Sequence, residues 1–168
     1  MYTLQLSFLC RGFYTKENCV CLQWGAPTLF FRWTCWNRKN FLLKGLLAFY
    51  HRQMKKVMVI ASSGIAAIMY PTGQTAHKAL NIPIYFDDGT ILKIPQKSKL
   101  FKDLEELSLL VFDEISMISK QILDLIDRSF RILFQCPEPF GGKRIVFAGD
   151  FRQILPVIRN GSKAQVVA

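Results

Sequence analysis

Apolar residues settle into readable periods from Phe41 onward. Leu42, Leu46, Phe49 and Tyr50 recur at helical spacing, which predicts an amphipathic helix over Phe41 to Gln53. Val57-Met58-Val59-Ile60-Ala61 is a short unbroken run rich in β-branched residues, the pattern of a strand buried on both faces of a parallel sheet. Ser62-Ser63-Gly64 ends it, and Ile65 to Met69 predicts the start of a second helix capped by a serine. Ser108 to Phe112 predicts a second buried strand, stopping at Asp113-Glu114. Ile118, Ile122, Leu125, Ile126, Ser129 and Leu133 then form one helical stripe, with Lys120, Asp124, Asp127 and Arg131 largely outside it. Arg144 to Ala148 predicts a third strand, closed by Gly149-Asp150-Phe151-Arg152-Gln153. Pro71, Gly73, Pro83, Asp87-Asp88-Gly89 and Pro95 mark residues 70–96 as mostly loop with short ordered pieces.

Strands alternating with helices imply βαβ crossovers and an α/β fold with a parallel sheet. In such sheets ligands bind beyond the carboxyl ends of the strands. Three polar tips meet at that edge: Ser62-Ser63-Gly64, Asp113-Glu114, and Gly149-Asp150 with Gln153 three residues on.

The length of 168 residues suits one domain, and 51% hydrophobic against 20% charged residues supports a packed core rather than a disordered chain. No apolar run approaches the ~18 residues of a membrane span, and Met1 to Cys10 lacks a basic region and a cleavage site, which leads to the expectation of an intracellular protein. Five cysteines fit no zinc spacing and are read as reduced thiols. The net charge of +10 is uneven. Residues 1–56 carry nine basic groups and the single acid Glu17. That basic head, with Trp24, Phe30, Phe31, Trp33 and Trp36, could stack bases and neutralise phosphates. No period places its aromatics on one face, and the favoured reading is an irregular head over residues 1–40.

Adjacent carboxylates at the end of an apolar strand suit phosphoryl transfer from a magnesium nucleotide. Asp113 is assigned to Mg²⁺ and Glu114 to the attacking water, although an acidic pair taken alone fits a solvated strand-to-loop junction better. Gln153 could bond a terminal phosphate, while Ser63, Thr75 and His77 could donate to phosphates.

Five segments together resemble the petite-integration-frequency family of superfamily-one DNA helicases. They are Ala61-Ser62-Ser63-Gly64-Ile65-Ala66-Ala67, Gly73-Gln74-Thr75-Ala76-His77, Val111-Phe112-Asp113-Glu114-Ile115-Ser116-Met117, Phe140-Gly141-Gly142-Lys143, and Gly149 to Val157. The similarity spans residues 41–168 and is greatest to the eukaryotic branch that includes rolling-circle transposon helicases. The resemblance implies a P-loop, RecA-like first motor domain over 41–168 of an ATP-dependent 5′ to 3′ DNA helicase, acting on single-stranded DNA and duplex junctions in repair, recombination and telomere maintenance. It implies ATP and Mg²⁺ as cofactors, Asp113 as the magnesium carboxylate, Glu114 as the water carboxylate and Gln153 as the γ-phosphate sensor. Ser62, Ser63, Gly64, Thr75 and His77 fall in segments that approach DNA in such enzymes. The expected compartment is the nucleus, with the mitochondrion as the alternative.

The chain departs from that pattern at the phosphate loop. Family members resemble other P-loop proteins in carrying a glycine-rich loop ending in Gly-Lys-Thr, whereas this stretch reads Thr34-Cys35-Trp36-Asn37-Arg38-Lys39-Asn40. Lys39 stays in register, and Asn40 stands where a hydroxyl is expected on Mg²⁺. Glycines let the backbone press its N–H groups on the phosphates; losing two such charge-assisted bonds at roughly 1.5 to 3 kcal/mol each weakens ATP binding by about a hundredfold to ten-thousandfold. The second motor domain that the resemblance implies is not found by Ala168. The expectation is therefore a helicase fragment with feeble ATPase and little unwinding. The competing readings are a nucleotide-independent single-stranded DNA binder and a transposon-derived fragment without function.

Overall fold

The three strand runs bury residues on both faces, and parity sorts them. Val59, Leu109, Val111, Val146 and Ala148 share one core with Leu43, Leu46 and Tyr50. Ile60, Leu110, Phe112, Ile145 and Phe147 share the other with Leu80, Leu104, Leu125, Ile126 and Phe130. Alternate Cβ atoms point to opposite faces of a strand, so a run apolar at every position needs cover on both sides.

The computed structural model describes residues 19–24, 28–33 and 36–149, with side chains from Lys39 onward. In chain order the elements are β1 (Cys19–Trp24), β2 (Thr28–Trp33), α1 (Trp36–Arg52), β3 (Lys56–Ala61), α2 (Gly64–Ala67), β4 (Gln74–Thr75), α3 (Ala76–Leu80), α4 (Lys99–Glu105), β5 (Leu107–Asp113), α5 (Lys120–Leu133) and β6 (Ile145–Gly149). Short 3₁₀ turns at Ile115–Met117 and Pro139–Gly142 precede α5 and β6. The sheet order is β1-β2-β6-β5-β3-β4. All neighbours are parallel except the β1–β2 pair. This is the α/β architecture expected of a RecA-like domain. Among the described residues no helix is long and apolar enough to cross a membrane.

Two differences from the sequence-based expectations bear on function. The first helix starts at Trp36, not Phe41, because Trp36 to Asn40 contains neither Gly nor Pro to break it. Its buried stripe is Lys39, Leu43, Leu46 and Tyr50, at i, i+4, i+7 and i+11, while Phe41 is exposed. The expectation of an irregular head does not hold for residues 19–24 and 28–33, where two runs holding aromatic and β-branched residues pair antiparallel and β2 adds to β6. Beyond the stretch of residues 70–96, Lys99 and Lys102 lie on α4, capped by the Ser98 hydroxyl, which accepts from Phe101 N–H at 3.1 Å.

Elsewhere the expectations hold closely. Ser63 caps α2, accepting from Ala66 N–H at 3.2 Å. The predicted stripe of α5 is buried at Leu125, Ile126 and Ser129, and Phe130 joins it.

Candidate functional site

Strand register brings the polar tips together. Ala61 pairs with Asp113 and Asp113 with Ala148, so the three central strands end level. The Ser62 N–H donates to the Asp113 carbonyl at 3.4 Å, and the Ser62 hydroxyl lies 3.7 Å from Met117 Sδ. Asp113 has the parity of Leu109 and Val111, which turns its carboxylate toward the face covered by α1. Lys39 lies on the buried stripe of that helix and meets it there.

Lys39 is 1% exposed, and Asp113 and Glu114 are each 2% exposed. The Lys39 ammonium sits 2.8 Å from Asp113 Oδ1 and donates to Glu114 Oε1. Asp113 Oδ1 also accepts the Glu114 backbone N–H at 2.9 Å. Glu114 has φ +55° and ψ +46°, a left-handed conformation that costs a non-glycine residue about 1 to 2 kcal/mol. The strain turns the chain sharply after β5 and stacks two carboxylates in one buried space. Gly149 closes it from β6: a Cβ there would stand 2.8 Å from Ile115 Cγ2 and 3.2 Å from the backbone nitrogens of Ile115 and Ser116.

Tyr70, which the sequence reading passed over, completes the site. Its hydroxyl donates to Asp113 Oδ2 at 2.8 Å and lies 3.5 Å from Asn40 Oδ1. Burial, then the Asp113 charge and that hydrogen bond, hold its phenol well above the ordinary tyrosine range.

One positive and two negative groups leave this buried trio with a net negative charge. Glu114 Oε2 and the Ser116 hydroxyl are buried without a hydrogen-bond partner. An unsatisfied buried carboxylate oxygen beside a second carboxylate fits a hard divalent cation with its water shell. Among the described residues no three His, Cys, Asp or Glu side chains gather into a metal cage.

The site thus unites Lys39, Asn40, Asp113 and Glu114. Ser62, Ser63 and Gly64 form the next tip, and Thr75 pairs with Ala61 on the far side of β3, about 10 Å from Asp113 across two strand spacings. Thr75 begins α3 without using its side chain as a cap, and His77 is exposed on that helix. Gln153 lies outside the described residues.

The PIF1-like helicase family model matches residues 17–168. The chain belongs to the PIF1-like helicase family. It is 30% identical to the ATP-dependent DNA helicase PIF1 of Saccharomyces cerevisiae over 154 residues, covering 88% of this chain and 18% of that protein. The Saccharomyces cerevisiae helicase RRM3 is 32% identical over 122 residues, 70% of this chain and 16% of the relative. The chain therefore spans about a fifth of the length of the curated relatives it matches. Bacteroides Pif1 bound to single-stranded DNA superposes with a TM-score of 0.68 at 31% identity, covering 98% of this chain and 34% of that one. Bacteroides Pif1 in complex with ADP-AlF4 gives 0.59 at 35% identity over 76% and 28%. The PIF1-like match begins well before Phe41 and takes in both strands of the head.

Proposed function

We propose that this chain is the nucleotide-binding part of an ATP-dependent DNA helicase that moves 5′ to 3′ on single-stranded DNA and engages duplex junctions. Lys39 buried between Asp113 and Glu114 carries the reading. It gathers a phosphate-type lysine and a pair of acids where strand tips of an α/β sheet form a crevice. The likeness to a relative solved with ADP-AlF4 supports the nucleotide, and one solved on single-stranded DNA supports the strand.

The residues divide the work. Asp113 would hold Mg²⁺, whose chemistry is to neutralise charge developing on the phosphates. Glu114, with Oε2 unpartnered, accepts a proton from the attacking water. Lys39 exchanges its two carboxylates for nucleotide phosphates on binding. Gln153 contacts the γ-phosphate, and Ser62, Ser63, Gly64, Thr75 and His77 face the DNA. A nuclear site of action follows from the same reading.

Residues 36–40 are helical and lack glycine, so fewer backbone N–H groups reach the phosphates, and turnover is slow. The test is ATP hydrolysis at millimolar ATP with and without single-stranded DNA. Weak, DNA-stimulated hydrolysis that Glu114→Gln abolishes is expected. DNA binding that ignores nucleotide, with no Glu114-dependent hydrolysis, would favour the nucleotide-independent binder instead.

A further inference from the structure

The site has lost one hydroxyl and gained another. In P-loop proteins the residue after the phosphate-loop lysine places a Ser or Thr hydroxyl on the magnesium shell. Here that residue is Asn40. Asp113 spends Oδ1 on Lys39 and the Glu114 N–H, leaving Oδ2 to the Tyr70 hydroxyl at 2.8 Å. Among the described residues no other side-chain hydroxyl donates to Asp113, and that of Ser116 meets no partner. Tyr70 lies 30 residues from Asn40 in sequence, yet its oxygen is 3.5 Å from the Asn40 amide oxygen.

Tyr70 is held there from several sides. Tyr70 is 2% exposed, within the core that α1 lays on the sheet. Its N–H donates to Ala67 O at 3.2 Å and its carbonyl accepts from Gly73 N–H at 3.1 Å. Gly73 packs so closely that a Cβ would overlap Ala67 O and stand 3.2 Å from Tyr70 Cβ. A phenol fixed this firmly is preorganised for whatever Asp113 binds.

We infer that Tyr70 supplies the hydroxyl that Asn40 lacks, and is a positioning residue for the hydrated divalent cation that accompanies a bound nucleoside di- or triphosphate. The inference rests on the nucleotide reading above. The O–H fixes the Asp113 carboxylate, and the oxygen's lone pairs would accept from a water on the cation that Asp113 holds. This hydroxyl arrives from the loop between α2 and β4, so it also ties the Ser62–Gly64 tip to the cation carboxylate.

The test measures binding of a fluorescent ADP to the whole 168-residue chain, in Mg²⁺ and in EDTA. Tyr70→Phe, which keeps the ring, is expected to cut affinity about tenfold in Mg²⁺, the weight of one hydrogen bond to a charged group, and under twofold in EDTA. Adding Asn40→Thr should restore most of the Mg²⁺-dependent loss. With Tyr70 intact but labelled as 3-fluorotyrosine, Mn²⁺-ADP should broaden its ¹⁹F resonance, a readout needing no substitution. Equal losses in Mg²⁺ and EDTA, no rescue, or no broadening with Mn²⁺-ADP bound would overturn the inference. Absence of ADP binding by the unaltered chain in either buffer would instead sink the nucleotide reading, and this inference with it.

Discussion

Two lysines in this protein each hold two carboxylates, at opposite ends of the sheet. Lys56, at the start of β3, pairs with Asp103 at 2.6 Å and Glu106 at 3.1 Å, its side chain 40% exposed. Those two bonds hold its pKa above the ordinary lysine range. Lys39, at the carboxyl end, makes the same kind of pairings with its side chain 1% exposed. Water satisfies whatever the Lys56 cluster leaves unpaired. Around Lys39 nothing does so for Glu114 Oε2. For stability alone, apolar residues would often serve as well as a buried ion cluster. The difference therefore separates a surface clamp from a site held ready for charged ligands.

Substitution of Lys39 should sharpen that contrast most. Lys39→Ala leaves two carboxylates buried without their cation, and chemical denaturation should report a loss of about 3 to 5 kcal/mol. A loss below about 1 kcal/mol would mean that water reaches the site freely. Gly149→Ala should cost about 1 to 3 kcal/mol by the same measurement, because its Cβ presses on the turn that follows Glu114. Rebuilding Gly-Lys-Thr with Arg38→Gly plus Asn40→Thr should raise ADP affinity about tenfold by fluorescence titration, one recovered phosphate or metal contact. Lys56→Ala should cost less than about 1 kcal/mol, and the effect should fade in high salt. A salt-insensitive loss equal to that of Lys39→Ala would erase the distinction.

The candidate site at the carboxyl edge of the sheet was largely legible in the sequence because three unbroken apolar runs end in polar residues, and parallel strands ending level need little else to converge. Lys39's burial was harder to read. A helix expected to begin at Phe41 leaves Lys39 outside it, whereas the helix that begins at Trp36 carries Lys39, three residues before Leu42 and four before Leu43, on the inner face. Tyr70 was hidden by its neighbours, since Pro71 and Gly73 mark a loop and loops are expected to be exposed. The β1–β2 pair was missed because its runs lack strict alternation; pairing between strands supplies order that single-strand periodicity does not carry. Gln153, the remaining member of the expected site, lies beyond β6 and outside the described residues.

A crystal structure of the chain with ADP and Mg²⁺ at millimolar concentration tests the phosphate pocket most directly. The account predicts Lys39 Nζ drawn away from Glu114 onto the β-phosphate, with the cation beside Asp113. ADP bound elsewhere, with Lys39 still enclosed by both carboxylates, would contradict it.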